Sequence, residues 1–306
     1  MIQRKQIFIV IFCAILFGSL YWYHLVTSYE SELGTDNTFV VNDADPSVSG
    51  ATNDSLLSLE FNQGQEELEW AFTTITVYQG NNEFDCTLGG VTSVPKQGGK
   101  VNTRLNADGQ TFTISVDATS ESSFTKFSLN SMGEDIGENY SMRFSKTDIF
   151  FGENLSWFMV KDTDFGSLTS LPEGNFSDDN SERLDWYEYD ISTHRVEASD
   201  QIYIVDDGST IYKIQLISYY NQDDESRHVT FIVARLGGEE IAAIFDENLV
   251  QSSPCIIIDD NQIWSPYESI YIKENAFQIC EDICDLEIIV TYESVKVKGT
   301  KNVQIQ

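Results

Sequence analysis

Basic side chains are scarce in this 306-residue chain: 18 Lys and Arg stand against 49 Asp and Glu, a formal charge of −31. That balance repels phosphate backbones and anionic lipid headgroups, which excludes nucleic acid as a partner. Catalytic signatures are missing too. The chain has no Gly-x-Ser-x-Gly elbow, no His-Glu-x-x-His, no phosphate-cradling glycine loop and no Cys-x-x-Cys pair. The expectation is a protein that is not an enzyme. Aspartate pairs such as Asp162 and Asp164, Asp206 and Asp207, and Asp223 and Asp224 sit where turns belong, so turn chemistry explains them first. Histidine is rarer still, at three. No ten-residue helical stripe competes with the strand pattern after residue 56, which points to an all-β architecture.

The chain is nonetheless 41% hydrophobic and 12% aromatic, enough for a sizeable core. After Arg4 and Lys5, an apolar run from Ile7 to Leu25 approaches the length of a bilayer's hydrocarbon core. The charges ahead of it favour a cytoplasmic N-terminus and an exported remainder. Tyr21-Trp22-Tyr23 suits an interfacial belt better than a peptidase site, so residues 1–27 read as a retained anchor, with a cleaved signal segment as the rival. Cys13 lacks the small preceding residue of a lipidated cysteine and reads as an apolar membrane residue. Residues 28–55 are polar and poor in aromatics, the composition of a flexible tether.

From Leu56 the pattern has the period of strands. Phe112, Ile114 and Val116 alternate, as do Phe127 and Leu129. Leu68, Trp70 and Phe72 share one parity and Ile75 and Val77 the other, predicting a bulge near Thr73-Thr74. Gly80-Asn81-Asn82 and Gly89-Gly90 mark turns. Residues 130–183 are less regular and contain Met132, Met142 and Met159. Ile202 to Val205 and Ile211 to Tyr220, joined by Asp206-Asp207-Gly208-Ser209, predict a hairpin, and Val229 to Leu236 a third strand. Tyr212, Ile214, Leu216 and Tyr220 fall on one face of that meander, Lys213 and Gln215 on the other.

The same stretch resembles the HmuY family of haem-binding envelope proteins. The shared words are Trp186-Tyr187-Glu188-Tyr189-Asp190, Thr193-His194, Tyr203-Ile204-Val205, Ile211-Tyr212-Lys213 and Ser218-Tyr219-Tyr220. Asp162-Thr163-Asp164-Phe165, Leu171-Pro172 and, more weakly, Leu68 to Phe72 precede them in family order, so the likeness covers roughly residues 60–236. It implies an antiparallel β-sandwich-like domain that captures haem and passes it on in the bacterial envelope. Its partners would then be a haem-carrying protein, an outer-membrane receptor and, through the N-terminal segment, the membrane.

Candidate iron ligands are His194, His228 and Met159, with Met132 beside them, since haem iron accepts imidazole and thioether donors. Tyr187, Tyr189 and Tyr219 would line the porphyrin and Lys213 would meet a propionate, with Arg235 as a second cation. Each has an ordinary alternative: methionine and tyrosine as core, histidine at turns, lysine facing solvent. The resemblance gives no ligand assignment. The competing function is an envelope interaction domain that kept the fold and lost haem.

The likeness stops at Gly237-Gly238, so 56–238 is the expected main domain and 239–306 a β-rich extension. Cys86, Cys255, Cys280 and Cys284 form an even set, read as disulfides of an oxidising compartment. The expectation is that one of Cys280 and Cys284 pairs with Cys255 and the other with Cys86. Zinc is the rival reading.

Overall fold

A computed structural model describes residues 11–25, 38–44, 55–63, 67–95, 98–275, 277–280, 283–292 and 295–304. Alternation of apolar and polar residues builds strands throughout, and the fold is all-β. Its largest unit is an eight-stranded sheet in the order Thr38–Asn42, Ser55–Gln63, Ser269–Glu274, Cys255–Ile258, Asn82–Thr87, Thr73–Gln79, Ile283–Tyr292, Val295–Gln304. The first and last of these strands also lie side by side, so the sheet curls into a ring. Inside it Leu57, Leu59, Val77, Ile257, Ile272 and Ile288 are buried, and Trp264 stacks between Phe61 and Trp70 at centroid distances of 4.2 and 5.9 Å. The buried indoles keep partners: Trp70 Nε1 donates to Asp259 (2.8 Å), Trp264 Nε1 to the Glu268 carbonyl (3.0 Å).

The middle of the chain forms a sandwich. A six-stranded sheet runs Ser156–Val160, Ile202–Asp206, Thr210–Tyr220, Ser226–Gly238, Phe112–Asp117, Val101–Leu105, and a four-stranded sheet runs Gly133–Glu134, Thr125–Ser128, Met142–Ser145, Asp148–Phe151. Between them Phe231 is stacked on Phe144 at 5.5 Å and meets the edge of Phe127 at 5.3 Å. The predicted meander is present. Asp206 and Asp207 accept the amides of the turn, where Gly208 takes φ 90°.

Several expectations are corrected. The change of parity after Phe72 is made by a 3₁₀ turn over Trp70–Phe72, because one tight turn resets the facing of the strand as a bulge would. Residues 130–183 hold the four-stranded sheet's later strands and the edge strand Ser156–Val160. Register shifts between Leu216 and Tyr220 turn Tyr219 into the core, 8% exposed, and swing Tyr220 towards the sheet's other side. Thr38–Asn42, inside the expected tether, pairs with Ser55–Gln63, while 28–37 and 45–54 lie outside the described residues. The composition break at residue 238 does not separate two sheets, since strands from 38–87 and from 255–304 share the ring.

The cysteine pairing also differs. Cys86 bonds Cys255 and Cys280 bonds Cys284. Cys86 and Cys255 are register partners in the sheet's parallel pair, with Cα atoms 4.9 Å apart, so pairing geometry selects them. At the N-terminus residues 11–25 are helical and 7–10 lie outside the described residues. Among the described residues no helix is long and apolar enough to cross a membrane.

Candidate functional site

The sheets meet the rest of the molecule in two different ways. In the meander Tyr203, Tyr212 and Tyr219 are committed to the interior. Tyr203 and Tyr212 are buried, and burial raises both phenols far above the ordinary range. Gln201 Nε2 donates to the Tyr203 hydroxyl (2.8 Å), and Tyr212 donates to Asp207 (3.0 Å). Tyr219 closes against Tyr220 at 5.2 Å and Trp186 at 6.2 Å, while Tyr187 lies half-buried against Trp186 at 5.1 Å. These rings pack edge-on or tilted against one another.

Lys213 is likewise unavailable to a propionate. It is 8% exposed, and its Nζ donates to the carbonyls of Phe165 (2.6 Å) and Leu168 (3.0 Å) over the Phe165 ring. Burial pushes it down to about 8, against the pull of Asp108 and Glu69. Here two of the three upstream words of the resemblance meet: the Phe72 ring lies 5.6 Å from that of Phe165. Glu69, raised first by burial and then by Asp164, lies against Gly166, where a Cβ would overlap its carboxylate. Arg235 pairs with Glu240 at 2.8 Å.

The proposed iron donors do not converge. Met132 is fully buried in the sandwich core. His194 sits exposed in the turn after Tyr189, with its Nδ1 3.0 Å from the Tyr189 hydroxyl and its ring 5.4 Å from Trp22 of the N-terminal helix. His228 faces the carbonyls of Ser226 (3.1 Å) and Glu225 (3.2 Å) and is the cross-strand partner of Asp117. Met159 lies three strand steps from Val233, itself five residues along from His228. At about 4.8 Å per step and 3.3 Å per residue that is about 20 Å, whereas two donors on one ion lie about 4 Å apart. Among the described residues no three His, Cys, Asp or Glu could hold a metal ion. Met159 and His228 are therefore too far apart to ligate one haem iron together.

An open concavity lies elsewhere. The ring and the six-stranded sheet face each other across a cleft of about 370 Å³. One wall is Thr74, Thr76 and Tyr78 with Ile289 and Thr291, residues pointing away from the ring's core. The other is Thr113 and Ser115 with Ile217, Thr230 and Ile232. Phe72 and Tyr220 border it, and the loop Asn221–Asp223 forms part of the rim.

Among the described residues the cation lining this cleft is Arg104, whose guanidinium is held by Asp85, Glu83 (2.8 Å) and the Thr76 hydroxyl (2.8 Å). Tyr220 is fixed from behind. Its hydroxyl takes the Val196 amide (3.1 Å), and Arg195 stacks 4.0 Å above its ring while pairing with Asp224. A second, shallower concavity gathers Tyr140, Arg143, Glu153 and Asp179 on the four-stranded sheet. Neither is lined by a histidine or a methionine.

Of the cleft residues the sequence singled out Phe72, Thr74, Tyr220 and Asp223, each for another reason. A readable signal was present: Thr113-Ile114-Ser115-Val116 and Thr74-Ile75-Thr76-Val77 alternate apolar with hydroxyl side chains, where a solvated face would carry charge.

No family model and no curated protein matches the sequence. Among solved structures the chain is similar to a protein named as a lipoprotein from Bacteroides fragilis, at 16% identity and TM-score 0.32, covering 41% of this chain and 89% of that one. It is also similar to one named as an HmuY-like heme-binding protein from Bacteroides vulgatus, at 17% identity and TM-score 0.34, covering 41% and 91%. Likenesses this shallow assign neither fold nor ligand to this chain.

Proposed function

We propose that this is a non-enzymatic binding protein of the bacterial cell envelope whose ligand enters the cleft between the ring and the six-stranded sheet. The observation that carries the reading is that cleft: a concavity within the size range of small-molecule sites, half polar and half apolar, bordered by rings. Export is supported by two disulfides and by the N-terminal helix, whose residues 11–24 are exposed on every side although Ile11, Phe12, Ile15, Leu16, Phe17 and Leu20 are apolar. Such a surface belongs in lipid, and 15 residues span about 22 Å, most of the way into a bilayer.

Haem capture, which the resemblance to the HmuY family implies, is the rival, and Met159 and His228 lie too far apart to share its iron. Two measurements on the full chain decide. Nuclear magnetic resonance with a cocktail of small soluble fragments is expected to shift Thr74, Thr230 and Ile289; shifts confined to the surface around Arg143 would sink the cleft as the site. Titration with micromolar hemin is expected to leave the Soret band unchanged. A Soret shift abolished by H194A, H228A or M159A would restore the haem reading.

A further inference from the structure

Resting on the cleft as the ligand site, we propose that the ligand is a neutral saccharide. The hydroxyls of Thr74 and Thr291 on one wall and of Ser115 and Thr230 on the other line the same half-buried space. Among the described residues none of the four is hydrogen-bonded to another protein group. Each offers one donor and two acceptor positions, so together they present a surface that another polyol can pair with in either sense. Ile217, Ile232 and Ile289 lie between them, and Phe72, Tyr78 and Tyr220 add ring surface. Apolar patches framed by uncharged hydroxyls complement a sugar ring, which is apolar on its faces and hydroxylated around its edge.

Charge and backbone exclude the main competitors. Arg104 is already neutralised by Asp85 and Glu83, Asp223 stands at the rim, and the chain carries −31 overall, so a phosphorylated, sulfated or carboxylated ligand meets net repulsion. An extended peptide gains affinity by adding to a sheet edge. Both walls here are interior strands, Thr73–Gln79 and Ile283–Tyr292 in the ring, Phe112–Asp117, Thr210–Tyr220 and Ser226–Gly238 in the six-stranded sheet, each already paired on both sides. Recognition therefore runs through side-chain hydroxyls and ring faces.

The test is an array of neutral, sialylated and sulfated saccharides probed with the full chain in detergent, followed by calorimetric titration of the tightest neutral binder. The Thr-to-Val double variant T230V/T291V keeps side-chain shape and removes two free hydroxyls; it is expected to bind at least tenfold more weakly with an unchanged circular dichroism spectrum. Ser115→Trp, which fills the cleft, is expected to abolish binding. Preference for charged over neutral saccharides, or equal binding by the parent and both variants, overturns the proposal. If no saccharide binds while fragments still shift cleft resonances, the ligand class falls and the cleft reading stands. If neither occurs, both fall.

Discussion

The ring and the sandwich are both antiparallel in the main, yet they are assembled from the chain in opposite ways. The sandwich takes its strands from one continuous stretch, residues 101–238, so most of its pairings join neighbours through short turns. The ring takes four strands from 38–87 and four from 255–304, and its parallel pair, Asn82–Thr87 with Cys255–Ile258, joins residues 169 apart in sequence. Local pairing recovers loop entropy at once; the ring must close the whole sandwich as a loop first. The cross-strand disulfide sits at that closure, where a covalent link removes the most disorder from the unfolded chain.

The sharpest way to break this contrast is to remove that link. In the chain-entropy model a loop of 169 residues is worth about 5 kcal/mol, against about 2 kcal/mol for the four-residue Cys280–Cys284 loop. The double variant C86A/C255A is expected to lose most of that 5 kcal/mol in denaturant titration, with hydrogen exchange rising in the ring before the sandwich. Uniform exchange in both would show that the two regions unfold as one unit. C280A/C284A should cost less than half as much.

Within the sandwich the next effect in size is Phe231→Ala. Emptying the space between Phe127 and Phe144 is expected to cost about 3–5 kcal/mol by chemical denaturation, since a buried aromatic leaves a cavity that packed strands cannot close.

The smallest effect concerns Lys213, which pins the Phe165 to Leu168 segment to the sandwich. Its folded value near 8 lies below the unfolded 10.5, so between those pH values the unfolded chain binds more protons and stability climbs as pH rises. The rise is at most about 3 kcal/mol at 1.36 kcal/mol per unit. K213M should flatten that slope between pH 8 and 10 in thermal melts, while orphaning two carbonyls at a cost of about 1–3 kcal/mol at pH 7. An unchanged slope would show that the amine is solvated rather than buried.

What was legible in the sequence follows the same division. The hairpin around Asp206–Ser209, its third strand and the alternation of Phe112, Ile114 and Val116 were readable because period and turn residues are local signals. The facing of Tyr219 and Tyr220 was not, because the irregular register near Ser218 depends on the partner strand. Of the tyrosines read as a lining, Tyr219 fills the core, Tyr187 is half-buried and Tyr189 is exposed, and Met159 and His228 were set apart by strand order, which composition does not encode. Thr230 and Thr291 looked like ordinary strand residues for the same reason: each becomes part of a cleft only when a distant sheet is laid opposite.

By itself, then, the sequence determined an acidic, strand-built chain with an apolar N-terminal run, four cysteines to pair and no recognisable catalytic apparatus. Those properties follow from residue type and spacing along one chain. Tertiary structure alone decided that Cys86 meets Cys255, that both chain ends close one ring, and that two hydroxyl-bearing faces confront each other across a cleft. Each is a contact between segments far apart in sequence, and its identity is fixed only when the register of every intervening strand has been set.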